Sequence, residues 1–238
     1  MMAEIARKAK VQKVRICKDG PYLVEGHVPL AKERMVLDED GTPIDWQVCA
    51  HYPEQEAYAL CRCGGSHTKP YCDGTHVKIK FEGKETANRG SHKDRAEVYE
   101  GPQLDLADAE ELCAHLRFCH RAGGEWKLIE RSDDPEAKRV AIEVANKCAS
   151  GRLVACEKGT GEPIEHRTTP SISVIQDPGK GVSGPLSVKG GIHVESSKGD
   201  VYEPRNRVTL CRCGSSGNKP FCDGTHISIR FNDGDENP

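Results

Sequence analysis

Two stretches of this chain repeat one another in the residue types that bind metals. Residues 58–81 read YALCRCGGSHTKPYCDGTHVKIKF and residues 208–231 read VTLCRCGSSGNKPFCDGTHISIRF. Each offers a Cys-x-Cys pair, Cys61 with Cys63 and Cys211 with Cys213. Each then offers a cysteine and a histidine four residues apart, Cys72 with His76 and Cys222 with His226. Four soft or borderline ligands from two short segments can wrap a compact site. If Asp73-Gly74 opens a helical turn, Cys72 and His76 face the same side, and Asp73 can cap that turn. Three chemistries compete. Three cysteines and a histidine are a standard structural zinc set, although zinc loops usually begin with Cys-x-x-Cys. Disulfides are disfavoured in a reducing compartment. An iron–sulfur cluster with one histidine ligand is the third, and spacing alone leaves it level with zinc.

Both blocks also resemble the CDGSH iron–sulfur domain family, which includes the mitoNEET-like proteins. The pattern Cys-x-Cys-x-x-Ser/Thr-x-x-x-Pro-x-Cys-Asp-Gly-Ser/Ala/Thr-His is met at every specified position by residues 61–76 and again by residues 211–226. The resemblance implies two [2Fe–2S] clusters. In the first, Cys61 and Cys63 would hold one iron, and Cys72 and His76 the other. In the second, the pairs are Cys211 with Cys213 and Cys222 with His226. It also implies a compact, strand-rich dimer, which two copies in one chain could form as an intrachain pseudo-dimer, a monomer with an internal pseudo-twofold. The membrane anchor of eukaryotic members has no counterpart here and is not carried over. Ser66, Asp73 and Thr75, with Ser216, Asp223 and Thr225, are expected to support the ligands or to cap their loops. Arg62, Arg212, Lys69 and Lys219 are read either as offsets to cluster charge or as solvated loop bases.

These motifs sit in modules that must position them. Gly20-Pro21-Tyr22-Leu23-Val24 is echoed by Gly184-Pro185-Leu186-Ser187-Val188, so each copy carries an upstream strand. Residues 77–81 and 227–231 alternate apolar and polar, which predicts half-buried strands. The segment between the copies differs. Leu106, Leu112 and Leu116 suggest a helix over 105–121. Asp134-Pro135-Glu136 is a helix-start signal, Ala141, Val144, Ala145 and Cys148 would share its face, and Gly151 is a plausible stop. Residues 152–156 and 171–176 read as strands. The fold class is therefore α+β: a first module at 1–90, an α/β insert at 91–178 and a second module at 179–238. Cys113, Cys119 and Cys148-Ala-Ser-Gly weakly resemble a divergent mono-cluster ferredoxin pattern, with Ala149 where proline is usual. They are read here as thiols buried on helix faces in a domain that has kept that fold. Cys17 and Cys49 are read as buried thiols, and the tail after Phe231 as disordered.

Composition narrows the function. The chain has 238 residues, 36% hydrophobic and 5% aromatic, with 12 cysteines and a net charge of -3. So lean a core suits a fold stapled by metal. Mixed charge argues against nucleic acid and anionic membranes as partners. No run is apolar enough to cross a bilayer, and MMAEIARKAK lacks the apolar stretch of a signal peptide, so a cytoplasmic protein is expected. No nucleophile triad, P-loop or dinucleotide fingerprint appears, so an enzyme is not expected. The reading is an electron-transfer protein whose partner is a redox protein. A carrier or sensor serving an apo-cluster acceptor is the alternative, and a zinc-stabilised interaction module the third.

Overall fold

The computed structural model describes residues 11–234. In chain order the first half contributes β1 (Lys13–Ile16), β2 (Tyr22–Glu25), β3 (Leu30–Leu37), β4 (Pro43–His51), β5 (Ala57–Leu60) and α1 (Thr75–Lys78). The middle contributes α2 (His92–Arg95), β6 (Glu97–Glu100), β7 (Leu104–Asp108), α3 (Glu125–Glu130), α4 (Pro135–Lys147) and β8 (Leu153–Glu157). The last part contributes β9 (Ser171–Asp177), β10 (Val182–Lys189), β11 (His193–Glu195), β12 (Arg207–Leu210) and α5 (Thr225–Ser228).

The two outer modules exchange strands. One sheet runs β11-β1-β2-β5, and the other runs β12-β10-β9-β3-β4. Within each, three strands of one module pair antiparallel. A strand from the opposite half then adds in parallel: β11 beside β1, with Val14 opposite Val194, and β3 beside β9, with Leu30 opposite Ile172. Strands this short cannot bury enough apolar surface alone. The exchange gives them one core, in which Val14, Val24 and Leu60 pack with Val174, Leu186 and Leu210. Neither motif-bearing module is therefore complete without the other.

The insert builds its own smaller core. β6, β7 and β8 form an antiparallel sheet. Against it lies α4, whose start obeys the sequence signal: Asp134 accepts a hydrogen bond from the Glu136 amide at 2.8 Å, and Pro135 fills the first turn. Val140, Ala141 and Val144 turn inward onto Leu104, Leu106 and Leu153. The expected strand at 152–156 is β8, and that at 171–176 is β9. The latter closes the sequence interval assigned to the insert but pairs with β10 of the following module.

Several local expectations are corrected. Residues 77–81 and 227–231 are not strands. Each leaves a one-turn helix, α1 or α5, and folds back, with the amides of Phe81 and Phe231 bonded to the carbonyls of His76 and His226. In the first copy the apolar alternation faces water instead, with Val77 71% exposed and Ile79 51%; in the second Ile229 is exposed but Phe231 is buried. Residues 105–121 are not a helix either. Leu106 is buried from β7 by strand alternation, and Leu112 and Leu116 from short 3-10 turns and loop. Cys49 is exposed and Cys17 only half-buried. In the tail, Asp233 is anchored by Arg212, Ser183 and Gln176. The amino-terminal MMAEIARKAK lies outside the described residues, as does the chain beyond residue 234. Among the described residues no helix is long and apolar enough to cross a membrane.

Candidate metal centres

Each motif is a loop held at both ends by backbone. The Cys61 amide bonds to the Pro70 carbonyl and the Cys72 amide to that of Ala59; Cys211 with Pro220 and Cys222 with Thr209 repeat the pattern. Ser66 donates to the Tyr71 carbonyl at 2.6 Å and accepts from the Thr68 amide, and Ser216 does the same with Phe221 and Asn218. Asp73 accepts from the His67 and Thr75 amides, and Asp223 from those of Gly217 and Thr225. The Thr225 hydroxyl adds a bond to Asp223, while Thr75 is buried. These side chains shape the loops. The groups that touch sulfur are backbone amides: Gly65 donates to Cys63 Sγ at 3.4 Å and Gly224 to Cys222 Sγ at 3.5 Å.

Arg62 and Arg212 are not solvated loop bases. They are 1% and 3% exposed. Arg62 donates to the carbonyls of Cys17 and Gly83 and lies over the Tyr22 and Phe81 rings. Arg212 donates to the carbonyls of Gly184 and Ile175, pairs with Asp233 and lies over Phe231. The arginine between each cysteine pair thus pins its loop to the sheet beneath. Lys69 and Lys219 close the same loops on the carbonyls of Ser66 and Ser216.

The structure brings the eight sequence-predicted ligands together as four pairs, two in each motif. Cys61 and Cys63 sulfurs are 3.8 Å apart, and Cys72 Sγ is 3.4 Å from His76 Nδ1. In the second site the separations are 3.7 Å for Cys211 and Cys213 and 3.3 Å for Cys222 and His226 Nδ1. Metal–sulfur bonds of about 2.3 Å at tetrahedral angles separate two sulfurs by about 3.8 Å. Each pair therefore suits one metal. Yet among the described residues no group of three or more His, Cys, Asp or Glu side chains is placed to hold a single ion.

The electrostatics suit a bound metal cation more than free thiols. Burial pushes the Cys63 thiol up to about 11, and burial likewise raises Cys72 and Cys222. A hydrogen bond from Cys213 lowers Cys211 to about 6 and raises Cys213 in turn. A bound cation would stabilise the thiolates that burial otherwise disfavours. Burial pushes the His226 imidazole down to about 4, so this side chain is neutral, the form that ligates. The two sites also meet. Cys63 and Cys213 form a backbone bridge between the loops.

Two features escaped the sequence, and a third was marked there only by cysteine spacing. Cys17 flanks the first site: a methyl on Gly20 would lie 3.1 Å from Cys17 Cβ and 3.7 Å from His76 Nε2. The ring of His115 rests on Gly224 of the second site. Cys113, Cys119 and Cys148 are half-buried, but not on helix faces; Cys113 and Cys148 cap helical turns, Cys119 lies in a 3-10 turn, and all three line one cavity. Only the cysteine spacing could have flagged that cavity.

Residues 19–77 and 183–227 match the family described as an iron-binding zinc finger of the CDGSH type, and residues 99–158 match the one described as a divergent 4Fe-4S mono-cluster. No curated protein and no solved structure matches the chain.

Proposed function

Two stretches of this chain belong to the iron-binding CDGSH family and flank a divergent 4Fe-4S segment, and on that premise we propose that this iron–sulfur protein holds two [2Fe–2S] clusters and acts in electron transfer. The observation that carries the reading is the pairing of ligands two and two, each pair spaced for one metal. Cys61 and Cys63 would hold one iron of the first cluster, Cys72 and His76 the other; Cys211, Cys213, Cys222 and His226 would do the same in the second. Such clusters, when bound, supply one-electron redox chemistry. The exchanged parallel strands, with the Cys63–Cys213 bridge at the centre, support an intrachain pseudo-dimer with an internal pseudo-twofold. The expected partner is a redox protein, and the expected setting is the cytoplasm.

The protein's own groups tune the sites. The Gly65 and Gly224 amides stabilise charge on sulfur. A neutral imidazole in place of a thiolate removes one negative charge from each site, so reduction is easier. All-cysteine plant-type centres lie near about −400 mV and two-histidine Rieske centres between about −150 and +300 mV; these sites should fall between. Protons compete with iron for the imidazole, which couples reduction to protonation and makes the clusters acid-labile. His76→Cys is expected to lower the potential of the first site by an amount on the order of 200 mV and to slow its loss in mild acid. Redox titration followed by electron paramagnetic resonance reads the shift, and a rise in potential would refute the charge argument.

A second reading concerns the insert. Three cysteines around one cavity, in a segment matching a 4Fe-4S mono-cluster, support a third centre there. An absorption spectrum with iron, sulfide and zinc analysis on anaerobically purified protein tests both readings. A red protein with about four irons per chain fits two [2Fe–2S] centres. More iron assigns the excess to Cys113, Cys119 and Cys148, and a colourless zinc protein overturns the proposal.

A further inference from the structure

The two motif copies share length and pattern but not surroundings. At the first site a Cβ on Gly74 would meet nothing within 4 Å, and Cys63, Cys72 and His76 are all partly exposed. At the second a Cβ on Gly224 would fall 2.3 Å from His115 Cδ2 and 2.8 Å from its Cγ, too close for the ring to stay where it is. Cys222 is 2% exposed and His226 1%. The insert supplies much of the difference, beside Met35 and Ile175. Its residues 113–119 lie across the second site, where Ala114, Leu116, Phe118 and Ala149 join Cys222 in one buried apolar cluster.

That segment is held in place rather than merely resting there. His115 and Arg117 both have left-handed backbones, φ 57° and 64°. Such conformations are strained for a non-glycine residue, so surrounding contacts must impose them. Arg117 supplies one: its guanidinium donates two hydrogen bonds, 2.8 and 2.7 Å, to Asp177, a fully buried carboxylate at the end of β9. The Asn218 side chain adds a bond to the Glu111 carbonyl at 2.7 Å. Among the described residues nothing comparable covers α1, where Val77, next to His76, is exposed.

We propose that the insert seals the second site, with His115 as the cover and the Arg117–Asp177 pair as its clasp, so that the first site is where this chain exchanges a cluster with an acceptor protein. This rests on the reading of both sites as cluster sites. The transfer is a ligand exchange with no change of redox state. The iron bonds to Cys61, Cys63, Cys72 and His76 break, and bonds to four acceptor thiolates form. Three of the four protons released by the acceptor thiols go to the three cysteines and the fourth to solvent. The second site then keeps its cluster as a resident redox centre.

The test follows visible absorbance of the full-length holoprotein exposed to the iron chelator bipyridine, with thiol alkylation and peptide mass spectrometry at intervals. The expected result is loss in phases, with Cys61, Cys63 and Cys72 alkylated at least tenfold faster than Cys211, Cys213 and Cys222. In Arg117→Gln and, as a milder change, His115→Ala, the second set should approach the rate of the first, while the first is unchanged. Equal labelling of the two sets in the unmodified protein would overturn the proposal. A protected second set that neither variant exposes would overturn the assignment of the cover. Protein purified with no iron or sulfide would sink the cluster reading itself, a different outcome from equal labelling of a coloured protein.

Discussion

Gly214→Ala is expected to destabilise the protein by roughly 3 kcal/mol or more and to lower iron content at both sites. Gly214 has φ +84°, and a Cβ there would lie 2.5 Å from the Cys63 carbonyl oxygen and 2.9 Å from its carbon. Those atoms are backbone, so they cannot swing aside as a side-chain end could. Gly64 mirrors it, with φ +76° and a Cβ 2.4 Å from the Cys213 oxygen. The two glycines let the cysteine loops approach closely enough to make the Cys63–Cys213 bridge. Left-handed strain contributes about 1–2 kcal/mol, and overpacking of a tight contact about 1–3 more. Gly74→Ala is the control. It has φ +84° with open space around the new methyl, so it should show the strain alone. Urea unfolding of the three proteins, with iron analysis, checks this. A Gly214→Ala protein as stable as Gly74→Ala would mean that the bridge between the loops contributes little.

The legible and illegible parts of this fold divide along a physical line. Ligand spacing is local, so Cys61, Cys63, Cys72 and His76 and their copies could be read before any fold was known, and the structure brings them together in pairs. The start of α4 was legible for the same reason, because Asp134 and Pro135 act within one turn. Strand exchange was not. A four-residue run such as Lys13–Ile16 carries no mark of which strand lies beside it, and its partner β11 comes about 180 residues later by chain order, a contact that pattern reading does not reach. The misread 77–81 and 227–231 show the converse error. There the histidine must return toward the cysteine four residues before it, which winds the chain into a helical turn, and that local demand overrides the alternation. The cover on the second site was illegible because His115 belongs to the insert and acts on Gly224, over a hundred residues away, through shape alone.

The same distance between pattern and environment makes Glu125 informative. In the sequence it is one more acid in a charged stretch. In the fold it is the first residue of α3, 0% exposed, with neither carboxylate oxygen hydrogen-bonded. Burial, and then the charge of nearby Cys148, pushes its pKa up to about 9 from 4.5. The folded protein therefore keeps a proton on this group that the unfolded chain releases above about 4.5. Between those two values the native state binds more protons, so this group's contribution to stability falls as pH rises. One pKa unit corresponds to about 1.4 kcal/mol, so the penalty relative to acid is on the order of 3 kcal/mol at pH 7 and grows toward pH 9. Glu125→Gln presents a neutral group of similar size at every pH. It should change stability near pH 5 by less than about 1 kcal/mol, raise it by on the order of 3 kcal/mol at pH 7 and raise it further at pH 9. Urea unfolding at the three pH values reads this directly. Parallel curves for the two proteins would show that Glu125 ionises in place, with a counter-charge beside it. Cys148→Ser separates the two causes, because it removes the sulfur's charge and leaves the burial. A gain that survives this change at nearly full size assigns the shift to burial, and with it the dryness of the insert beside its three cysteines.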